Sequence, residues 1–303
     1  MAVPDRCRPR ALALAALSLL VAACGGSSPS AASPFDGGRA LKHIEALVAI
    51  GPRAPSTPGS ARARAYIAEQ VASYGLEAVE QPFPADTPLG PVPMVNVRVT
   101  VPGAAKDRRL VIGGHYDTKR FDKIEFVGAN DAGSSTAFLI EMARVLATRK
   151  NPMPIELVFF DGEEAMVEWQ GEDHTYGSRY YVKAAGEDGS LGQIKAFLLV
   201  DMIGDADLRI KKDANSTDWM TAAVWKSAER LGRREFSAME ASIQDDHFHF
   251  LEAGIPAVQL IDLEYPAWHT ARDALDKVSA RSLQAVGDVV WHALPDIEKR
   301  LAP

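Results

Sequence analysis

The sequence predicts an α/β domain: a central, twisted, mostly parallel mixed sheet with helices on both faces. Three observations carry this. Short apolar runs recur between stretches with the three-to-four-residue spacing of amphipathic helices. The runs lack in/out alternation, as strands covered on both faces should. The chain of 303 residues is 47% hydrophobic and has no internal repeat, so it can bury one large core. Taken in order, Arg39 to Ile50 has helical spacing through Leu41, Ile44, Leu47 and Val48, and Gly51-Pro52 stops it. Ser60 to Tyr74 reads as a second helix, with Ser60 as N-cap and Gly75 just past its end. Leu76–Phe83 and Met94–Val101 read as strands, the second alternating at Val95, Val97, Val99 and Val101. Arg109–Gly114 is the first short apolar run that fits a buried strand, followed by Ile155–Phe160, Ala196–Val200 and Ala257–Ile261. Helices are expected over Ser134–Ala147, Thr217–Leu231 and Ser279–Arg300, the last with a break near Pro295.

Composition narrows the function. Forty acidic against 33 basic residues give a net charge of −7. That leaves no basic footprint for nucleic acid. The 24% charged residues and ordinary Gly and Pro counts exclude collagenous, coiled-coil and mostly disordered chains. No run of about 20 apolar residues is present to span a bilayer. Both cysteines, Cys7 and Cys24, precede the globular part, so the folded region offers no thiolate to a metal or a substrate.

The N-terminal residues read as an address. Arg6, Arg8 and Arg10 precede an apolar run, Ala11 to Ala23, broken only by Ser18. This is the charged and apolar order of a secretory signal, too short for a membrane span. Its end, Leu20-Val21-Ala22-Ala23-Cys24, resembles the lipobox of bacterial lipoproteins, and a Gly/Ser/Pro/Ala stretch follows as a flexible tether. The expected organisation is a lipoprotein signal peptide over 1–23, a tether over 24–35 and a catalytic domain over 36–303. Cys24 would carry the lipid and be the only membrane contact. Removing residues 1–23 takes three Arg and one Asp, leaving 30 basic against 39 acidic residues, net −9. The expectation is an exported, acidic enzyme on the bacterial cell envelope, facing periplasm or exterior.

Ionisable residues collect just past the strands, where open α/β sheets bind ligands. Arg109–Gly114 runs into His115-Tyr116-Asp117, and the loop before the next helix holds Asn130-Asp131. Ile155–Phe160 runs into Asp161-Gly162-Glu163-Glu164, Ala196–Val200 ends at Asp201, and Ala257–Ile261 leads to Trp268-His269. One such group is an ordinary solvated strand end; five at successive strand ends are a site. Two His and several carboxylates without cysteine suit Zn²⁺ bound by nitrogen and oxygen with an open coordination position. Side chains of adjacent Glu163 and Glu164 diverge, so one can bind metal while the other serves as general acid/base. Asp117 is placed to orient His115.

In this order, His115-x-Asp117, Asp131, Glu163-Glu164, Asp201 and His269 resemble the signature of the M28 zinc aminopeptidase superfamily. Finer motifs resemble its animal-type glutaminyl-peptide cyclotransferases: His115-Tyr-Asp-Thr-Lys119, Phe159-Phe-Asp-Gly-Glu-Glu-Ala165, Tyr176-Gly-Ser-Arg179, Ile243-Gln-Asp-Asp-His247 and Trp268-His269. The likeness spans roughly residues 36–300. It implies the zinc aminopeptidase-like fold and one zinc held by Asp131, Glu164 and His269, with water or substrate fourth. It also implies Glu163 as acid/base, Asp201 and Asp245 in a hydrogen-bonded carboxylate network beside it, Trp169 and Trp268 as pocket walls, and a non-proline cis peptide after Asp131. The sequence departs from the animal pattern in four ways. Gln259 stands where those enzymes have a pocket histidine, which makes it a substrate-binding candidate. Gln244 replaces an acid, the loop before His269 is one residue shorter, and the animal disulfide is absent.

The remaining histidines, His43, His174, His247, His249 and His292, read as surface or packing residues. Trp219, Trp225 and Trp291 lie on helical stretches and read as core or interface. Trp169 is flanked by Glu168, Gln170, Gly171, Glu172 and Asp173, so it has little core to join and reads as a binding wall. Three functions compete. The first is cyclisation of an N-terminal glutaminyl residue of a peptide or protein to pyroglutamyl, releasing ammonia, with one zinc. The second is a co-catalytic aminopeptidase in which His115 and Asp201 hold a second zinc and Asp131 bridges the two. The third is a surface binding protein that kept the fold and lost the chemistry; the intact Glu163 and ligand set argue against it.

Overall fold

The computed structural model describes Met1, Ala2 and residues 32–303. The expected signal and tether, including Cys24, lie almost wholly outside the described residues. Among the described residues no helix is long and apolar enough to cross a membrane.

Six strands form the central sheet: β1 (Ala78–Thr87), β2 (Gly90–Val101), β3 (Arg109–His115), β4 (Ile155–Phe160), β5 (Ile194–Asp201) and β8 (Ala257–Ile261). Their order is β1-β2-β4-β3-β5-β8. The β1–β2 and β2–β4 pairs are antiparallel, while β4–β3, β3–β5 and β5–β8 are parallel. This is the predicted mostly parallel mixed sheet. The strands α/β logic needs most are those the sequence marks best, because burial on both faces leaves a nearly continuous apolar run, broken by Glu156 in β4 and Gln259 in β8. Residues alternate between two cores. Leu110, Ile112, Leu157, Leu198 and Val200 face one, together with α1 (Gly37–Ile50), α3 (Gly133–Ala147), α5 (Asp218–Leu231) and α7 (Ala280–Arg300). Val111, Val158, Phe160, Phe197 and Leu199 face the other, packed against α4 (Tyr176–Glu187) and α6 (His247–Glu252).

Several boundaries move for identifiable reasons. Helix α2 spans Pro58–Ala72, and its N-cap is Thr57, whose hydroxyl accepts from the Ser60 backbone, not Ser60 itself. Pro58 at the first helical position is preset for a helix start. Strand β1 continues past Phe83 through Pro84, and β2 begins at Gly90, four residues before Met94. This long hairpin is tolerated because β1 is an edge strand and the first half of β2 pairs with β1 alone. No break occurs at Pro295; α7 runs unbroken, with Ala293, Leu294 and Ile297 buried on both sides of it. A small parallel pair, β6 (Ile210–Asp213) with β7 (Phe236–Ala241), was not anticipated, nor were α4 and the six-residue α6.

The topology places a site. From β3 the chain passes to β4 on one side, then returns to β5 on the other. The sheet's switch point therefore lies at the carboxyl ends of β3 and β5, where His115 and Asp201 are the last strand residues.

Candidate metal and acid–base centre

Among the described residues, two groups of acids and histidines bring ligand atoms within 4.8 Å of one another: Asp131, Glu164 and His269, and His115, Asp131 and Asp201. Asp131 belongs to both. His269 Nε2 lies 3.0 Å from Glu164 Oε1 and 3.4 Å from Asp131 Oδ2. His115 Nε2 lies 3.3 Å from Asp131 Oδ1 and 3.1 Å from Asp201 Oδ1. One carboxylate thus turns an oxygen towards each histidine.

Backbone anchors set these positions. The Asp273 carboxylate accepts from the backbone N–H of Asn130 at 2.8 Å and of Asp131 at 3.0 Å. Arg53, fully buried, clamps the same loop through the carbonyls of Val127 and Gly128. Asp117 does more than orient His115. Its two oxygens accept from the backbone N–H of Glu163 at 3.1 Å and Glu164 at 3.3 Å, while His115 Nδ1 stands 3.5 Å away. Among the described residues, five non-glycine residues have positive φ: Ser56, Ala132, Thr175, Met202 and His269. Four of them are at the site: Ala132 follows Asp131, Met202 follows Asp201, His269 is a candidate ligand, and Thr175 bonds Glu163. Backbone strain of this kind persists only where surrounding contacts enforce it. The expected cis peptide after Asp131 is not present, as no described peptide bond is cis; a left-handed Ala132 (φ 57) turns the chain there.

The electrostatics of these groups fit a cation. Burial opposes charge on His269, but Asp131 and Glu164 outweigh it and push its pKa up to about 9. Burial, then the Asp131 charge, push Glu164 up to about 7. Burial also opposes charge on Asp131, yet the two histidines hold it well below the usual carboxylate range. The buried Oδ2 of Asp131 has no hydrogen-bond partner, although it faces His269. An orphaned carboxylate oxygen between an imidazole and a second carboxylate fits a divalent ion with nitrogen and oxygen donors, and zinc suits that set.

Glu163 is turned elsewhere. Its Oε2 lies 3.8 Å from His115 Nδ1 and its backbone carbonyl accepts from Thr175 at 2.8 Å. Burial raises its pKa well above the usual carboxylate range; the charges of Asp245 and Glu164 push the same way against His115. A carboxyl shifted upward in a cleft is suited to carry a proton near neutral pH. Asp245 is raised likewise by burial, Asp201 and Asp246. The carboxylates of Glu163 and Asp201 both lie beside His115, Glu163 near its Nδ1 and Asp201 near its Nε2.

Glu163, Glu164, Asp131, Asp201, Asp245 and His269 line one cavity of about 470 Å³, together with Trp169 and Trp268. Both tryptophans are partly exposed, at 39% and 45%. Trp268 stacks on His269 with centroids 4.3 Å apart. Gln259 departs from its expected role. It is fully buried in β8, outside the cavity lining, and its side-chain amide donates to Asp245. It braces the Asp245 carboxylate from behind. His43 and His247 are buried on Tyr66 and Asp213, and Trp219, Trp225 and Trp291 pack against the larger core. Sequence reasoning missed Asp273, Arg53 and the acid Asp173. The last gathers the backbone N–H groups of Met166, Val167 and Glu168 and so shapes the Trp169 loop. Nothing in their sequence surroundings separates them from ordinary loop residues.

Residues 96–294 match the family model described as peptidase family M28. The chain is 32% identical over 254 residues to the glutaminyl-peptide cyclotransferase-like protein of Bos taurus. That match covers 73% of this chain and spans just under two thirds, 66%, of the bovine protein. Among solved structures it resembles the glutaminyl cyclase of an Acidobacteriales bacterium, with a TM-score of 0.84 and 38% identity over 91% of this chain and 99% of that one. It also resembles the glutaminyl cyclase of Porphyromonas gingivalis, with a TM-score of 0.78 and 27% identity over 87% of this chain and 99% of that one.

Proposed function

This chain belongs to peptidase family M28, on its glutaminyl-peptide cyclotransferase branch, and we propose that it converts N-terminal glutaminyl residues of peptides and proteins to pyroglutamyl with release of ammonia. The observation that carries the reading is the shared cavity. The acid Glu163 and the cradle of Asp131, Glu164 and His269 open on the same space, between Trp169 and Trp268. Asp131, Glu164 and His269 would hold zinc. When bound, zinc would polarise the carbonyl of the glutaminyl side chain. Glu163 takes a proton from the substrate's α-amine as that nitrogen bonds to the side-chain carbonyl carbon. It returns the proton to the side-chain nitrogen, which leaves as ammonia when its bond to the same carbon breaks. The nucleophile belongs to the substrate, so the enzyme's work is orientation and exclusion of water. Two flat side chains at the mouth serve both ends. Burial and the charge of Asp245 keep Glu163 ready to hold a proton, Asp201 pushes Asp245 the same way, and Gln259 donates to Asp245.

A second reading has its own observation. Because Asp131 faces both His115 and His269, the same residues could hold two zinc ions, as in a co-catalytic aminopeptidase. Metal analysis of the purified protein, with parallel Gln-peptide and Leu-amide assays, separates the two. One zinc per chain, ammonia from Gln-peptides and retention of that zinc in His115→Ala are expected. Two zincs, loss of one in His115→Ala and Leu-amide cleavage alone would give the protein to the aminopeptidases.

The location belongs to the same proposal: an exported enzyme lipid-anchored through Cys24 to the bacterial cell envelope. The support is the order of charged, apolar and small residues before Cys24. Mass spectrometry of the mature N-terminus should find a lipidated Cys24, and an unmodified residue at another position would refute the anchor.

A further inference from the structure

Behind the Trp169 wall lies a polar chain that the proposed reaction does not use. The imidazole of His174 stacks on the Trp169 ring, centroids 4.2 Å apart and planes within 5°. His174 Nδ1 is 3.0 Å from the Thr175 hydroxyl, which is also 2.8 Å from His249 Nε2. Thr175 donates its backbone N–H to the carbonyl of Glu163 at 2.8 Å. One residue therefore ties the acid/base loop to the support of the pocket wall.

We propose that His174, held by Thr175 and His249, is a positioning residue that fixes the plane of Trp169 and thereby the fit of the substrate's N-terminal residue in the pocket. This rests on the cyclase reading of the cavity. Trp169 needs such a support. It sits in a loop of charged and polar residues, 39% exposed, and Asp173 pins only the backbone of the three residues before it. A half-exposed ring on a loop turns about two side-chain bonds unless a second flat surface meets it. His174 is 5% exposed and cannot itself swing away while its nitrogen is bonded. The bonding is specific. A hydroxyl carries one proton, so between two imidazoles it donates to one and accepts from the other, which sets the tautomers along the chain. Burial, reinforced by Arg179, favours the neutral rings this needs, lowering His174 and taking His249 down to about 4. Thr175 is a β-branched residue at φ 48, a conformation that persists because its N–H and hydroxyl are both committed.

The test is a double-mutant cycle on Gln-peptide kinetics, with Trp169 emission as a readout independent of substrate. His174→Ala should raise KM about three- to tenfold, the range of one lost ring stack, with kcat changed by less than about twofold. Added to Trp169→Ala it should have no further effect, since the two act as one unit. His174→Phe, which keeps a flat ring, should recover part of the KM and covers the case in which His174→Ala folds poorly. Thr175→Val should resemble His174→Ala, and Thr175→Ser should not. The emission of Trp169, taken as the difference between each protein and its Trp169→Phe counterpart, should change in His174→Ala. A rise in KM for Trp169→Ala, with neither KM nor emission altered in His174→Ala, overturns the proposal, as does additivity of the two substitutions. If no Gln-peptide is cyclised, the cyclase reading fails separately. The emission then decides alone: a change in His174→Ala supports the positioning role and an unchanged spectrum ends it.

Discussion

Glu163 and Glu164 are adjacent, yet one side chain joins the metal cradle and the other turns to His115, because Asp117 fixes both of their backbone N–H groups. The division gives opposite outcomes for nearly identical changes. Glu163→Gln should lower turnover by about 10²–10⁴-fold, the usual loss for a general acid/base, while zinc content stays near one per chain. Glu164→Gln should lose the metal. Zinc analysis beside initial rates decides it, and metal loss in the first with retention in the second would reverse the roles. At this scale the sequence was readable where chemistry needs a particular residue type at a strand end or in the loop that follows it: His115, Asp131, Glu163, Glu164 and Asp201. It was unreadable where a side chain acts through somebody else's backbone. Asp273 holds Asn130 and Asp131 from more than 140 positions away, and Arg53 holds Val127 and Gly128 from more than 70. Gln259, named from the resemblance, is buried outside the cavity lining and donates to Asp245, a placement the sequence alone does not give.

The elements repeat that division between local and non-local signals. β3, β4, β5 and β8 end within a residue of their predicted carboxyl ends, because the same burial that defines them aims the site. The β1–β2 hairpin overran its prolines, since edge position is a property of the sheet and not of the segment. α6 was missed because six residues show less than two turns of periodicity. Strand β3 carries a requirement visible only in three dimensions. A Cβ on Gly114 would lie 2.6 Å from the Val200 carbonyl oxygen and 2.8 Å from Ser135 Cβ, so β5 and α3 both approach its bare backbone. Gly114→Ala should destabilise the protein by about 1–3 kcal/mol, as overpacking does. It should also weaken zinc binding, since His115 follows it and Asp131 lies on the loop leading into α3. Denaturant unfolding with a zinc titration measures both, and wild-type values in each would contradict this account of β3.

For the molecule as a whole, the concentration of buried acids makes metal occupancy and pH one problem. Without metal, burial raises Asp161, Glu164 and Asp246 to about 7 and Asp273 to about 6. Acids raised on folding hold protons that the unfolded chain has released, so their contribution to stability falls as pH rises from about 4 through those values. His269, at about 9 against an unfolded value near 6.5, also favours the folded state fully below about 6.5 and loses that contribution by about 9. Other groups run the other way, His43 and His249 among them. His43 and His249 are buried and lowered to about 4, so they favour the folded state above about 6.5 and lose that contribution as pH falls to about 4. Their effect is complete before pH 7, whereas that of His269 is then just beginning. The metal-free protein should therefore melt lower at pH 8 than at pH 6. Zinc held there would take the place of the proton shared by Asp131, Glu164 and His269, and it would bind more tightly at higher pH, where fewer protons must be displaced. At a free concentration 1,000 times its Kd, a ligand stabilises by about 4 kcal/mol. A chelator should thus lower Tm at both pH values and by more at pH 8. An equal drop at pH 6 and pH 8 would mean that the cradle of Asp131, Glu164 and His269 is not where protons and metal compete.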